Sequence, residues 1–261
     1  MKQITSKDNT IIKHIIKLKE KKYRNEYNEF IIEGIKIVRE AIEEKAKIKN
    51  IIVSESALNS ELFEKNLNNE LIEKEFILVP DHIFKLLSEV ENPQGVIAII
   101  EKDIVDVDLD FSQDFILVLE DIQDPGNLGT IIRTADSIGL TQILVTKGTI
   151  DCYNPKVIRS TMGAIFRVKI IETEDLPEKI KEIQKNNFKV ITTSLQASKS
   201  IYDINLKKSA IIIGNEANGV SKHIQDLSDI KAIIPMKGKT ESLNVSIATG
   251  VILYEFVRQN L

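Results

Sequence analysis

Apolar residues recur along the chain in two patterns that alternate from end to end. In the second half, short runs of Ile, Val and Leu predict strands over 116–119, 143–145, 168–171, 190–193, 210–213 and 232–234. Apolar residues at helical spacing predict helices over 130–138, 155–162, 177–187 and 243–258. Successive strand–helix units favour an α/β fold, with a mostly parallel sheet that helices cover on both faces.

The first half shows a less regular alternation of the same kind. Ile and Leu at helical spacing between lysines predict an amphipathic helix over 10–22, with a basic outer face. Further helices are predicted over 34–44 and 81–90, and strand-like runs lie at 30–32, 51–53, 76–79 and 95–100. We therefore expect a small N-terminal α/β domain over 1–104 and a larger domain over 112–261. The acidic segment 101–114 is interpreted as their linker, with an ordinary surface loop as the alternative.

Charge is distributed unevenly along the chain. The 261 residues carry a net charge of −4, which argues mildly against a nucleic-acid binder, because most free-standing ones are basic. Residues 1–24, however, hold eight Lys and Arg against two acidic residues. This segment could contact a phosphate backbone or could be the solvated face of a surface helix, and the charge alone does not decide between them.

Composition excludes several classes of protein. The sequence contains no secretory signal, and its apolar runs are too short to span a bilayer, so no membrane partner is expected. Cys152 is the only cysteine, which rules out a disulfide within the chain. Together these features favour a cytoplasmic location.

Three loops that follow predicted strands are rich in Gly, Asn and Ser. They cover 120–129, 214–221 and 235–246. Loops at the carboxyl ends of parallel strands meet at one edge of a sheet, where ligands of such folds bind. Glycine allows the backbone to approach a ligand closely, and exposed backbone amides suit a polar or anionic group.

Familiar chemical motifs are absent from these loops. Gly214 and Gly219 have the spacing of a phosphate-binding loop, but Val220 stands where the lysine is needed. No G-x-G-x-x-G follows a strand, and no G-x-S-x-G is present. Three scattered histidines and one cysteine do not have the spacing of a zinc site, so no metal is expected.

The three loops resemble the motifs of the SpoU family, which are RNA 2′-O-ribose methyltransferases of the SPOUT superfamily. The matching segments are NLGTIIRTA at 127–135, IGNEANGVS at 213–221 and IPMKGKTESLNVSIA at 234–248. YNPKVIRSTMGAIFRV at 153–168 is similar to the stretch between the first two motifs. More weakly, FIIEG at 30–34 and NPQGV at 92–96 resemble the small RNA-binding domain of many members.

This resemblance implies a fold and a reaction. The fold is a C-terminal SPOUT-type parallel-sheet domain with a trefoil knot, preceded by a small N-terminal α/β RNA-binding domain, and the assembly is a homodimer. The implied cofactor is S-adenosyl-L-methionine. By residue match it would contact Thr193, Gly214, Ile234 and Leu243, and the catalytic and ribose-binding set would be Asn127, Arg133, Glu216, Ser242 and Asn244.

Several alternatives remain open within this resemblance. Arg133 is either a general base or, as we favour because a guanidinium resists deprotonation, an electrostatic positioner. Asn127 is expected to orient Arg133, and Glu216 either holds the loop geometry or only caps the turn at Gly219. Structured RNA is the expected substrate, with ribosomal RNA favoured over transfer RNA. A non-catalytic RNA-binding or assembly factor on the same fold is the alternative from another class.

Overall fold

Residues 2–71, 75–103 and 108–261 are described by the computed structural model, which divides the chain into two units. The first unit combines Met1–Ile104 with Tyr153–Phe166, and the second combines Val105–Cys152 with Arg167–Leu261. Residues 153–166 thus pack with the N-terminal part of the chain. The predicted division into two continuous segments did not assign them to it. The predicted ranges 1–104 and 112–261 stay predictions as functional domains. Within the predicted linker over 101–114, residues 104–107 lie outside the described residues.

The first unit contains a mixed five-stranded sheet. Its strands are β1 (Lys2–Gln3), β2 (Glu29–Glu33), β3 (Ile48–Ser54), β4 (Ile77–Val79) and β5 (Val96–Glu101). Its helices up to β5 are α1 (Thr10–Leu18), α2 (Lys21–Tyr27), α3 (Ile35–Glu43), α4 (Glu55–Leu58), α5 (Glu61–Leu71) and α6 (Asp81–Leu87). The strand order is β1-β4-β3-β5-β2, in which β5 runs antiparallel to both of its neighbours. Apolar residues of α1 and α6 pack onto one face of this sheet and form a core with β3 and β5.

The helix predicted over 10–22 is two helices in the structure. The buried side chain of Arg24 in α2 causes the chain to turn, since its Nη1 donates to the carbonyls of Leu18 (2.9 Å) and Lys19 (2.7 Å). Carbonyls at the end of a helix have no partner within the helix, so the guanidinium satisfies groups that α1 leaves free. One of the eight cations of this segment is therefore structural.

The second unit is built around a seven-stranded, wholly parallel sheet. Its strands are β6 (Phe115–Leu119), β7 (Gln142–Thr146), β8 (Lys169–Thr173), β9 (Lys189–Thr193), β10 (Lys199–Ser200), β11 (Ser209–Ile213) and β12 (Ile230–Ile233). The helices along this stretch are α7 (Pro125–Ser137), α8 (Pro155–Thr161), α9 (Leu176–Lys185), α10 (Lys222–Leu227) and α11 (Val245–Gln259). Of these, α8 belongs to the first unit, where it packs against β2. The strand order is β10-β12-β9-β11-β6-β7-β8.

Helices cover both faces of the parallel sheet, as predicted. One core cluster joins α9 and α10 to the sheet, and α11 packs beside α7. The central strands β6 and β11 are buried along their whole length, which suits their runs of Ile, Leu and Val. The six predicted strands of this half are confirmed, whereas the two-residue strand β10 was not predicted. No helix among the described residues is long and apolar enough to cross a membrane.

Candidate active site

A cavity of about 450 Å³ opens at the carboxyl edge of the parallel sheet. Loops after β9, β11 and β12 form its walls, and these three strands are neighbours in the sheet. Its volume lies within the range of about 300–1,000 Å³ that is usual for small-molecule sites. Of the three loops predicted to form the site, those after β11 and β12 line this cavity, whereas the loop over 120–129 does not and the loop after β9 takes its place as a wall.

The loop after β11 is closed tightly on itself. A Cβ added at Gly214 would lie 2.1 Å from the backbone C of Gly219 and 2.1 Å from the backbone N of Val220. The N–H of Gly219 donates to the carbonyl of Asn215 (2.8 Å), and Gly219 has a φ of 67°. The side chain of Asn215 accepts from the N–H groups of Ala217 and Asn218. Only glycine fits at 214 in this conformation.

Glu216 joins this loop to the start of α7. Its carboxylate accepts from the backbone N–H of Gln123 (3.1 Å), the backbone N–H of Asp124 (3.0 Å) and Nδ2 of Asn127 (3.1 Å). Two loops 90 or so residues apart are thus held together by one anion. This supports the holding role for Glu216 over a role limited to the turn at Gly219.

The surroundings of Glu216 lower the pKa of its carboxyl group overall. Burial raises the pKa, but the N–H groups of Asp124, Asn127 and Gln123 favour the charged form and lower it further than burial raises it. The pKa of Glu216 therefore lies below its ordinary value of 4.5. At neutral pH the group is an anion that accepts all three hydrogen bonds.

A pH dependence of stability follows from this depressed pKa. Because the folded pKa lies below the unfolded one, the stabilisation by Glu216 is complete above about pH 4.5 and is lost as pH falls through the folded value. We expect Glu216→Gln to melt at a lower temperature than wild type at pH 6, with the difference shrinking as the pH falls below 4.5. Thermal melts of both proteins across this range measure it, and a constant difference would contradict the assignment.

Asn127 and Asn244 extend the connection to the third loop. Nδ2 of Asn244 donates to Oδ1 of Asn127 (3.0 Å). Oδ1 of Asn244 caps α11 by accepting from the N–H of Ser246 (2.9 Å). The Glu216–Asn127–Asn244 chain, called here the polar relay, therefore ties all three loops together.

The residues predicted to contact the cofactor are brought together at the cavity. Thr193, Gly214, Ile234 and Leu243 all line it, as do Glu216 and Ser242 from the predicted catalytic set. Asn127 and Asn244 lie beside Glu216 in the polar relay.

Within the chain, Arg133 lies next to neither the cavity nor the polar relay. It is exposed on α7, does not line the cavity, and makes no hydrogen bond or ion pair to the described residues. Six residues separate it from Asn127 on the same helix, which places it about 9 Å farther along the axis and on a different side. The expected orientation of Arg133 by Asn127 therefore stays a prediction.

Four further residues of the site were not predicted from the sequence. Asp124 caps α7 by accepting from the N–H of Asn127 (2.8 Å), and Gln123 supplies its N–H to Glu216. Asn215 also donates to the carbonyl of Asp121 (2.8 Å). Buried Glu120 accepts from the N–H of Ser221 (2.8 Å). The Asp-Pro pair at 124–125 is typical of a helix start, and it could have located the beginning of α7 from the sequence.

The cavity combines apolar walls with carboxylates. Ile213, Val220 and Val245 contribute apolar surface, and Glu216 and Glu241 contribute acidic groups. This combination suits a cationic organic molecule better than a phosphate. Among the described residues, no cluster of three His, Cys, Asp or Glu side chains could hold a metal ion.

A parallel α/β sheet with a cofactor-sized cavity between glycine-rich loops at its carboxyl edge defines the class of α/β cofactor-binding proteins. Comparison with known proteins assigns the family. The SpoU rRNA Methylase family model matches residues 114–254, and the MRM3-like substrate binding domain model matches residues 9–98. The chain belongs to the SpoU rRNA methylase family.

Full-length relatives support this assignment. The 23S rRNA (guanosine(2553)-2′-O)-methyltransferase RlmP of Bacillus subtilis (strain 168) is 32% identical, over 97% of this chain and 98% of the relative. The AdoMet-bound rRNA methyltransferase from Sinorhizobium meliloti is 30% identical, with a TM-score of 0.86 over 100% of this chain and 98% of that one. AviRb from Streptomyces viridochromogenes, crystallised with AdoMet, is 25% identical, with a TM-score of 0.85 over 97% and 98%.

Proposed function

We propose that the protein transfers a methyl group from S-adenosyl-L-methionine to a ribose 2′-hydroxyl in 23S ribosomal RNA. One observation carries the proposal: the four residues matched to the cofactor line one cavity, and the polar relay lies directly beside it. Relatives that match over nearly the whole chain are named as 23S rRNA 2′-O-methyltransferases, which favours ribosomal over transfer RNA.

The cavity residues fit the cofactor chemically. S-adenosyl-L-methionine supplies an electrophilic methyl group on a sulfonium, and the carboxylates of Glu216 and Glu241 favour a cation in the cavity. Gly214, Ile234, Leu243 and Thr193 line the cavity and would hold the cofactor, largely through backbone groups as the family resemblance implies. The polar relay ties the walls formed by the loops after β11 and β12 to the start of α7.

Reaction requires the 2′-oxygen to lie in line with the methyl group and to lose its proton. Ser242, exposed at the cavity, and Asn244 beside it are placed to hold the ribose. Arg133 is assigned to stabilise the developing alkoxide next to a phosphate, since its permanent charge and planar fork suit that role. Because it does not line the cavity of its own chain, this role requires the second chain of the inferred homodimer or the bound RNA to bring Arg133 and the 2′-oxygen together.

Assembly and location form part of the proposal. We infer a homodimer and a trefoil knot in the catalytic domain, as the family resemblance implies, and a cytoplasmic location from the composition of the sequence. The apolar excess of the last helix, which includes Ile252, Leu253, Phe256 and Val257, suggests from the sequence a dimer interface on this helix. In the structure Ile252 and Leu253 are buried within the chain and Phe256 packs on Phe115, so these three are not available for that interface. The exposed apolar side chains of α11 are Ile247 and Tyr254, seven residues apart on one side of the helix.

The dimer is testable through these two side chains. Light scattering at micromolar concentration should give twice the chain mass for wild type and the single-chain mass for Ile247→Glu/Tyr254→Glu. Two buried carboxylates without partners would oppose association strongly. A wild-type protein that scatters as a monomer would refute the assembly.

Methyl transfer tests the main proposal directly. Titration calorimetry should show S-adenosyl-L-methionine binding to the full chain. Radiolabelled cofactor should then mark 23S rRNA from a strain lacking the gene, and not transfer RNA. A folded protein that binds no cofactor would contradict the activity, and one that binds cofactor and RNA without transfer would favour the non-catalytic assembly factor.

A further inference from the structure

Some cations of the basic N-terminal segment bind groups within the first unit, whereas others are exposed and have no ion pair to the described residues. Arg24 is buried and caps α1, and Nζ of Lys19 donates to the carbonyls of Leu86 (3.2 Å) and Ser88 (3.3 Å). Lys13 pairs with Asp8 at 2.8 Å. These three cations therefore serve the fold of the first unit or are neutralised locally.

Lys17 and Lys22 are exposed and have no ion pair to the described residues. Their ammonium groups lie over the ring of Tyr23, at 5.4 and 5.5 Å from its centroid. Both distances are within the range of cation–π contacts. Two exposed cations of the segment thus lie around one partly exposed aromatic ring.

Tyr23 forms a stacked aromatic pair with Tyr27, and side chains linked to the sheet hold this pair in place. Its ring stacks with that of Tyr27 at a centroid distance of 6.2 Å and an angle of 12°. The ring of Tyr27 meets the edge of His14 at 4.7 Å, and Nε2 of His14 lies 2.5 Å from Oε2 of Glu29. Glu29 is buried on β2 and also accepts from Lys49 (2.7 Å). The ring pair is therefore anchored to the sheet and not free on the surface.

We propose that Lys17, Lys22, Tyr23 and Tyr27, called here the Tyr23 platform, stack an unpaired base of the RNA substrate and hold the adjacent phosphates. This inference rests on the proposed function. A base can replace one lysine over the ring, and the displaced ammonium can then reach a neighbouring phosphate. Only a flipped-out or single-stranded base exposes its face, so the platform recognises a loop or bulge and not a continuous duplex.

Fluorescence anisotropy with two RNA probes tests the platform in the full chain. The probes are a labelled 12-nucleotide oligoadenylate and a labelled 12-base-pair duplex. Tyr23→Ala should weaken binding of the single strand about tenfold and change duplex binding little, whereas Tyr23→Phe should bind like wild type. Lys17→Ala/Lys22→Ala should reduce the salt dependence of single-strand affinity by about 1.4 in log–log slope. The control Lys181→Ala/Lys185→Ala removes the same charge from exposed positions of α9.

Several outcomes would overturn the inference. They are wild-type affinity of Tyr23→Ala for the single strand, an equal loss for the duplex, or an equal effect of the α9 control. Binding of decaglutamate as tight as that of RNA would show a site for acidic proteins. If Tyr23→Ala lowers the melting temperature, the test rests on Lys17→Ala/Lys22→Ala instead. An unchanged salt dependence of its single-strand affinity would then overturn the inference. Failure of the proposed function is separate, because it would appear as absent methyl transfer by the wild-type protein.

Discussion

Arg133→Ala should lower the single-turnover rate of methyl transfer by about 100- to 1,000-fold, the loss typical of removing one preorganised charge stabiliser. S-adenosyl-L-methionine affinity should change little, because Arg133 does not line the cavity. A group that acts mainly in the transition state lowers the rate more than it lowers ground-state binding. Rapid-quench transfer and cofactor titration with the same preparation measure the two effects.

Arg133→Lys separates the two roles that remain open for this residue. If Arg133 positions charge through its planar fork, the lysine variant should be largely inactive at every pH. If it acts as the base, activity of the variant should rise with pH toward the lysine pKa of about 10.4. Lys181→Ala, an exposed cation lost from another helix, is the matched control. Near-normal turnover by Arg133→Ala would mean that the catalytic group lies elsewhere.

Gly214→Ala should weaken cofactor binding by about 5- to 150-fold, the change that corresponds to a cost of roughly 1–3 kcal/mol. The new methyl would lie 2.1 Å from backbone atoms of Gly219 and Val220, neither of which is a flexible side-chain end. The loop must open to admit it, which costs about 1–3 kcal/mol or more and displaces Glu216 from its three donors.

Gly238→Ala is the matched control for this substitution. Gly238 lies in the third loop, and a Cβ there would meet no atom within 4 Å. Calorimetric titration of both variants should show loss for Gly214→Ala and retention for Gly238→Ala. Equal affinity of the Gly214 variant and wild type would show that the closed loop is not the bound form.

The sequence predicted the location of the site because parallel strands share a polarity. Once 116–119, 210–213 and 232–234 are strands of one parallel sheet, their following loops must meet at one edge. The partners of Glu216 could not be predicted in this way. Two of the three are backbone N–H groups more than 90 residues away, and their positions depend on loop conformation and not on residue type.

Errors at helix ends had a direct effect on the interpretation of the site. The helix expected from residue 130 begins at Pro125, capped by Asp124, so Asn127 lies within it and not in a loop before it. Since Asn127 and Arg133 share this helix, the angle between their positions around its axis is fixed. The segment 10–22 divides for a tertiary reason, because buried Arg24 caps the first helix from the second.

The polar relay also has a consequence for biosynthesis. Asn127 bonds with Glu216 and Asn244, which follow it by 89 and 117 positions in the chain. At about 5–20 residues per second, a ribosome needs roughly 6 to 23 seconds after making Asn127 to supply Asn244. During this interval Asn127, at the start of α7, does not yet have both of its hydrogen-bond partners. A nascent or prematurely terminated chain that lacks Asn244 therefore has no complete relay, and its first and third loops are not joined as they are in the finished protein.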